Sequence, residues 1–257
     1  MPSPLHELNS LIEEIELDLD FIVLATQLKP RLGSIVQWQA RGETLDLVKR
    51  FISAEPTRPE TVYGPLFVRL VAAFERFVRE LVSWAVEERT IAARTYDQVS
   101  ATLARRNLVL TGRLLSTLES PRDYLVIDVE LLLNNLVSCR QGYTGAFRLN
   151  ATAFSAAVAG VSPEHVEKAL ENVGVADWWD TIGENQALVG VLGTKGPRAT
   201  GIRSRDVLKE LSRFRNQLAH GGDAAVLVTE SQLRDAIGFV SAFSEALNSA
   251  VLQELAH

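Results

Sequence analysis

Arg213-Phe214-Arg215-Asn216-Gln217-Leu218-Ala219-His220-Gly221-Gly222 reads as the closing turns of a helix. The sequence places the start of that helix near Ser204, a residue able to cap it, with Asp206 in the first turn. Gly221 and Gly222 supply the stop, because glycine takes the left-handed backbone that ends helices at little cost. Val207, Leu211, Phe214 and Leu218 recur at i, i+4, i+7 and i+11 and make one apolar stripe. At about 100° per residue, Lys209, Arg213, Asn216 and His220 fall on the other face. A one-sided helix of this kind buries its stripe against other helices, so the stretch points to an all-α protein.

Arg215 and His220 are the residues with chemical potential. A neutral imidazole takes a proton from a hydroxyl, and a guanidinium grips a phosphate with two parallel donors. Those are the two needs of RNA cleavage by a ribose 2′-hydroxyl attacking its own phosphodiester. The chemistry calls for no metal and no cofactor. The C-terminal end of a helix favours the imidazolium and keeps such a histidine titratable near neutrality.

Arg215-Asn216-Gln217-Leu218-Ala219-His220-Gly221 resembles the R-x(4–6)-H signature of HEPN domains in its R-N-x-x-A-H-G form. Leu70-Val71-Ala72-Ala73-Phe74-Glu75-Arg76-Phe77 resembles the early helix of these domains. The segment from Arg148-Leu149-Asn150 to Leu170-Glu171-Asn172-Val173-Gly174-Val175 resembles the middle of the RiboL-PSP-type HEPN subfamily. The likeness runs over roughly residues 60–255. It implies an all-helical bundle that dimerises and brings two R…H motifs into a shared cleft. It implies a metal-independent endoribonuclease acting as a toxin or in antiviral defence. The alternative is a non-catalytic RNA- or partner-binding module, such as an antitoxin or complex subunit.

On a straight helix Arg215 and His220 lie about 140° apart. Either the last turn unwinds at the glycines, or a second copy supplies the missing group in a symmetric dimer. Asn216 is expected to position His220 or to bind phosphate. Glu75 shares a polar face with Arg79 at i, i+4 spacing, which reads either as an ion pair or as a carboxylate that orients Arg215. The run Thr194–Arg203 reads as a mobile loop without acidic residues. Lys195, Arg198, Arg203, Arg205, Lys209, Arg213 and Arg215 give seven cations against Asp206 and Glu210, the one concentrated basic segment. Lys195, Arg198, Arg203 and Arg213 are its candidate phosphate-binding residues.

The remaining composition is that of a globular protein. The 257 residues are 47% hydrophobic and 23% charged, enough for one large core or one domain with an insertion. A net charge of −6 argues against nonspecific coating of nucleic acid, while a local patch remains compatible with RNA. The single Cys139 excludes a disulfide framework and a cysteine-based metal site, and fits a reducing cytoplasm. The N-terminus lacks the basic region of a signal peptide, and the apolar run Phe21–Ala25 is too short to span a bilayer.

In chain order, residues 4–28 read as a helix with Leu5, Leu8, Ile12, Ile15, Leu19 and Ile22 as its stripe and Glu7, Glu13, Glu14 and Asp18 solvated. Heptad-like spacing gives that helix a second reading, as one that pairs with a partner chain. Residues 29–42 read as a loop because of Pro30, Gly33 and Gly42, 43–53 as a short helix, and 55–59 as a linker. Residues 60–90 form the strongest helix, with apolar positions on two sides and hence a central place. Residues 96–118 form another, ended by Pro121. Residues 123–139 are apolar nearly all round and read as a buried helix interrupted by Asn134 and Asn135. Ser162-Pro163-Glu164 starts a helix that ends at Gly174. Trp178 and Trp179 read as anchors of a small subdomain, with base stacking as the functional alternative. Thr229 and Gln232 make a capping box for a last helix expected to lie antiparallel to the Arg215 helix. The expected organisation is an N-terminal helical region, 1–58, and a HEPN-like domain, 59–257, with an insertion around 140–203.

Overall fold

The computed structural model describes residues 3–39, 49–50, 59–118, 127–143, 145–219 and 227–256. Among these residues every regular element is helical, as the sequence implies. They are α1 (Pro4–Gln39), α2 (Pro59–Ala92), α3 (Ala101–Leu115), α4 (Val129–Ser138), α5 (Ala151–Ala156), α6 (Pro163–Asn172), α7 (Trp178–Gly183), α8 (Gln186–Leu192), α9 (Pro197–Ala219) and α10 (Glu230–Leu255). The expected short helix at 43–53, the linker at 55–59, the break at Pro121 and the glycine stop at Gly221 and Gly222 lie wholly or mostly outside the described residues.

α2 is the axis of the bundle. Leu70, Phe74, Phe77 and Leu81 are buried along one line, and Phe67, Val71, Val78 and Val82 along another. Two buried stripes oblige neighbours on both sides, and α1, α5, α9 and α10 all lie against this helix. α1 contributes Leu8, Ile12, Ile15 and Leu19 to the shared core. Its acidic residues are not simply solvated. Glu14 and Asp18 hold Arg69 at 2.5 and 3.1 Å, Glu7 holds Arg76 at 2.7 Å, and Asp20 reaches Arg234 of α10 at 2.9 Å. These exposed pairs fix register more than they add stability.

α1 also runs on to Gln39, through the stretch read as a loop. Pro30 and Gly33 weaken a helix locally, but the packed turns before them have already met the cost of nucleation. Leu17, Phe21, Leu24 and Leu28 stay exposed on its outer face at alternating spacings of four and three.

Residues 123–139 depart further from expectation. The helix begins only at Val129, capped by Asp128, whose side chain accepts from the Leu131 amide. Of its residues only Leu132 is buried, while Leu131, Leu133 and Val137 are exposed. An apolar helix is buried only where neighbours exist, and α4 sits at the edge against α3.

α7 packs on α9 and α10. Trp178 and Trp179 stack on each other at 3.9 Å between ring centroids and meet Phe243 of α10. Both are buried, at 3% and 8% exposure, which removes base stacking as their role. The approach of α7 to α9 depends on glycine. A Cβ on Gly183 would stand 2.2 Å from the Pro197 carbonyl oxygen, and one on Gly201 3.2 Å from that of Trp179.

That close approach accounts for a second correction. α9 starts at Pro197, not near Ser204, and the expected loop from Pro197 to Arg203 is its first two turns. Pro197 suits an opening turn, where its missing N–H costs nothing. Ser204 is fully buried inside the helix and is not a cap. α10 does begin with the expected capping box: Thr229 Oγ1 accepts from Gln232 N, and Gln232 Oε1 accepts from Thr229 N. It does not pack along α9, however. α9 rests on α2 and α7, and a groove of about 430 Å³ separates α9 from α10.

Candidate functional site

Arg215 takes its place from the two apolar residues around it. Phe214 packs on Phe67 of α2 with ring centroids 5.8 Å apart. The Leu218 side chain lies over Gly64, close enough that a Cβ there would be 3.5 Å from Leu218 Cδ2. The sequence dictates both contacts, since Leu211, Phe214 and Leu218 form the stripe that α9 must bury. Arg215, one step round from Phe214, is half-buried, and its Nη1 donates to Asn216 Oδ1 at 3.2 Å. Asn216 is exposed. The amide thus meets the guanidinium just before the last described turn of α9.

His220 lies outside the described residues, so the Arg215–His220 couple is joined here only through the sequence. Glu75 is placed, and its carboxylate pairs with Arg79. Phe214 against Phe67 and Leu218 against Gly64 also show that α9 runs antiparallel to α2. Glu75 is eight residues beyond Phe67, about 12 Å along the axis and away from the Arg215 end. The structure therefore favours the ion pair over a carboxylate that orients Arg215.

The basic segment divides. Lys195 and Arg198 are exposed at the start of α9, with Arg198 about 25 Å along the helix from Arg215. Arg203 and Arg213 come together with Lys209 in one shallow exposed depression, which Asp206 and Glu210 also line. Three cations against two carboxylates make a mixed surface there. Arg205 turns the other way. Its guanidinium lies 4.6 Å from the centre of the Trp179 ring and 3.8 Å from Glu167. Nearby, Glu164 has its carboxyl held below the ordinary carboxylate range by hydrogen bonds from the backbone and from the Ser162 hydroxyl at 2.8 Å, with Lys209 adding to the effect.

Sequence reasoning missed the groove between α9 and α10. Phe67, Phe214 and Phe239 line it together with Arg203, Glu210 and Asp235. It escapes local pattern because it arises where α2, α8, α9 and α10 meet. The one local sign is Arg203, Glu210 and Phe214 recurring at i, i+7 and i+11 beside the buried stripe. Among the described residues no group of three or more histidine, cysteine, aspartate or glutamate side chains is placed to hold a metal ion.

A family model described as RiboL-PSP-HEPN matches residues 43–253, a span that contains α2, α9 and most of α10. No curated protein and no solved structure matches the chain.

Proposed function

The chain belongs to the RiboL-PSP-HEPN family, and from that premise we propose that it is a metal-independent endoribonuclease. His220 removes the proton from a ribose 2′-hydroxyl, and the resulting oxygen attacks the adjacent phosphorus. The bond to the 5′-oxygen breaks, and an imidazolium returns a proton to that leaving group. The products are a 2′,3′-cyclic phosphate and a free 5′-hydroxyl. Arg215 binds the phosphate and stabilises the charge that builds on it. Asn216 orients Arg215, Arg213 meets the flanking backbone, Arg203 meets the RNA where α9 borders the groove, and Lys195 and Arg198 lie further along the strand. The observation that carries this reading is Arg215, half-buried toward the end of α9 beside the Phe214–Phe67 contact and hydrogen-bonded to Asn216, in the stretch that resembles the HEPN R…H motif.

The same reading makes the protein a homodimer whose copies share a cleft, acting as a toxin or defence nuclease that a partner protein such as an antitoxin restrains. The apolar seam open on α1 supports self-association, since soluble proteins seldom leave such rows uncovered. His220→Ala and Arg215→Ala are expected to abolish cleavage of a labelled RNA while leaving the thermal melt unchanged, and chelators are expected to have no effect. RNA binding without cleavage by the wild-type chain would instead identify a binding module. Full activity in both variants would remove the two residues from the mechanism.

A further inference from the structure

We propose that the groove between α9 and α10 seats one unpaired guanine base next to the phosphate held by Arg215. The proposal rests on the ribonuclease reading for its substrate, but its argument comes from the groove. At about 430 Å³ the space lies toward the small end of ligand sites, which run from about 300 to 1,000 Å³. That suits one nucleotide-sized group rather than a folded segment. Phe67 and Phe239 are nearly buried and close the floor, while Phe214 is half-exposed. A planar base stacks on a half-exposed ring such as that of Phe214, with Phe67 and Phe239 behind it.

The rim selects among bases. Glu210 and Arg203, seven residues before it, stand on α9, and Asp235 stands on the facing helix. Two carboxylates against one guanidinium disfavour a phosphate inside the groove and favour a neutral ring rich in N–H donors. Glu210 precedes Phe214 by four residues, so its carboxylate lies beside the ring, and among the described residues it has no hydrogen bond or ion pair. Guanine presents its N1–H and 2-amino group side by side, a pair of parallel donors that one carboxylate accepts together. Its O6 and N7 are both acceptors and suit a guanidinium, here Arg203. Adenine and cytosine set a ring acceptor beside their amino group, and uracil flanks its single N–H with two carbonyls. Each of these turns a lone pair toward the carboxylate. Because Phe214 immediately precedes Arg215, a base in the groove belongs to a nucleotide bordering the scissile bond.

The test uses the full-length His220→Ala protein and isothermal titration with GMP, IMP, AMP, CMP and UMP, so that no cleavage intervenes. GMP is expected to bind about ten- to a hundred-fold more tightly than the others, including IMP, which lacks only the 2-amino group. Glu210→Gln should abolish that preference without shifting the thermal melt, because the residue is exposed. Phe214→Ala should weaken all five nucleotides. Equal affinities, or a GMP preference unchanged in Glu210→Gln, would overturn the proposal, as would silence toward all five with tight binding of a basic amphipathic peptide. The two readings fail separately. Selective GMP binding by a chain that cuts no RNA would sink the nuclease and keep the base site, whereas cleavage blind to guanine would do the opposite.

Discussion

Asn150 accepts from Asn135 Nδ2 at 2.9 Å and donates through its own Nδ2 to Thr111 Oγ1 and the Leu132 carbonyl, each at 3.0 Å. Its backbone N–H donates to Asn107 Oδ1 at 2.8 Å. Asn107, Thr111 and Asn150 are all buried, so one side chain joins α3, α4 and the start of α5 where water cannot replace it. Asn150→Ala leaves the Leu132 carbonyl and the Thr111 hydroxyl short of a donor. It is expected to lower stability by about 3 kcal/mol, read from the urea midpoint. A loss below about 1 kcal/mol would mean that the network is slack. Cys139 is a second case in which surroundings decide chemistry. Burial pushes its thiol up, and its Sγ lies 3.2 Å from the Arg148 carbonyl. Because the thiolate is the nucleophile, iodoacetamide at pH 8 should label Cys139 more slowly than free cysteine. Labelling as fast as the free amino acid would contradict that. The sequence shows Asn135 as an amide in an apolar run, but its partner fifteen residues on becomes visible only when α4 and α5 meet.

Among the elements, the crossing of α7 and α9 is the least tolerant. Gly183 meets the Pro197 carbonyl with no room for a methyl group, so Gly183→Ala must push the first turn of α9 away from α7. The Trp178–Trp179–Phe243 cluster depends on that approach. The variant is expected to lose about 1–3 kcal/mol and several degrees of melting temperature by circular dichroism. Gly201→Ala, with its nearest atom a full ångström further away, should lose less. Equal losses would mean that helix propensity, not contact, sets the cost. The same crossing shows what periodicity can and cannot read. Burial of Leu211 and the capping box at Thr229 follow from local pattern, whereas Leu208, fully buried, lies outside the stripe that the pattern marks. The start of α9 does not, because Lys195-Gly196-Pro197 reads as a loop until α7 gives the new turns a surface. α4 errs in the opposite direction. Its apolar residues promise burial, but Leu131, Leu133 and Val137 lie at the edge of the bundle and no sequence period reports that.

For the whole molecule, the question is how many chains make one site. Arg215 borders the stripe that α9 buries on α2, and a straight helix sends the residue five further on about 140° away. A single α9 therefore brings both groups onto one phosphate only if its end unwinds. A symmetric pair needs no distortion, since the guanidinium of one copy and the imidazole of the other can flank the same phosphate. These arrangements differ in a mixing experiment. Arg215→Ala and His220→Ala proteins, each inactive alone, are unfolded and refolded together in equal amounts. If each site draws its arginine and its histidine from different chains, every mixed dimer contains one intact site and one doubly defective site. Half of the dimers are mixed, so cleavage should return to about a quarter of the wild-type rate. If both groups act within one chain, no site in the mixture is intact and the rate stays at that of the single variants. Sedimentation of the refolded sample, checked for dimers, ensures that silence reports the site and not a failure to exchange.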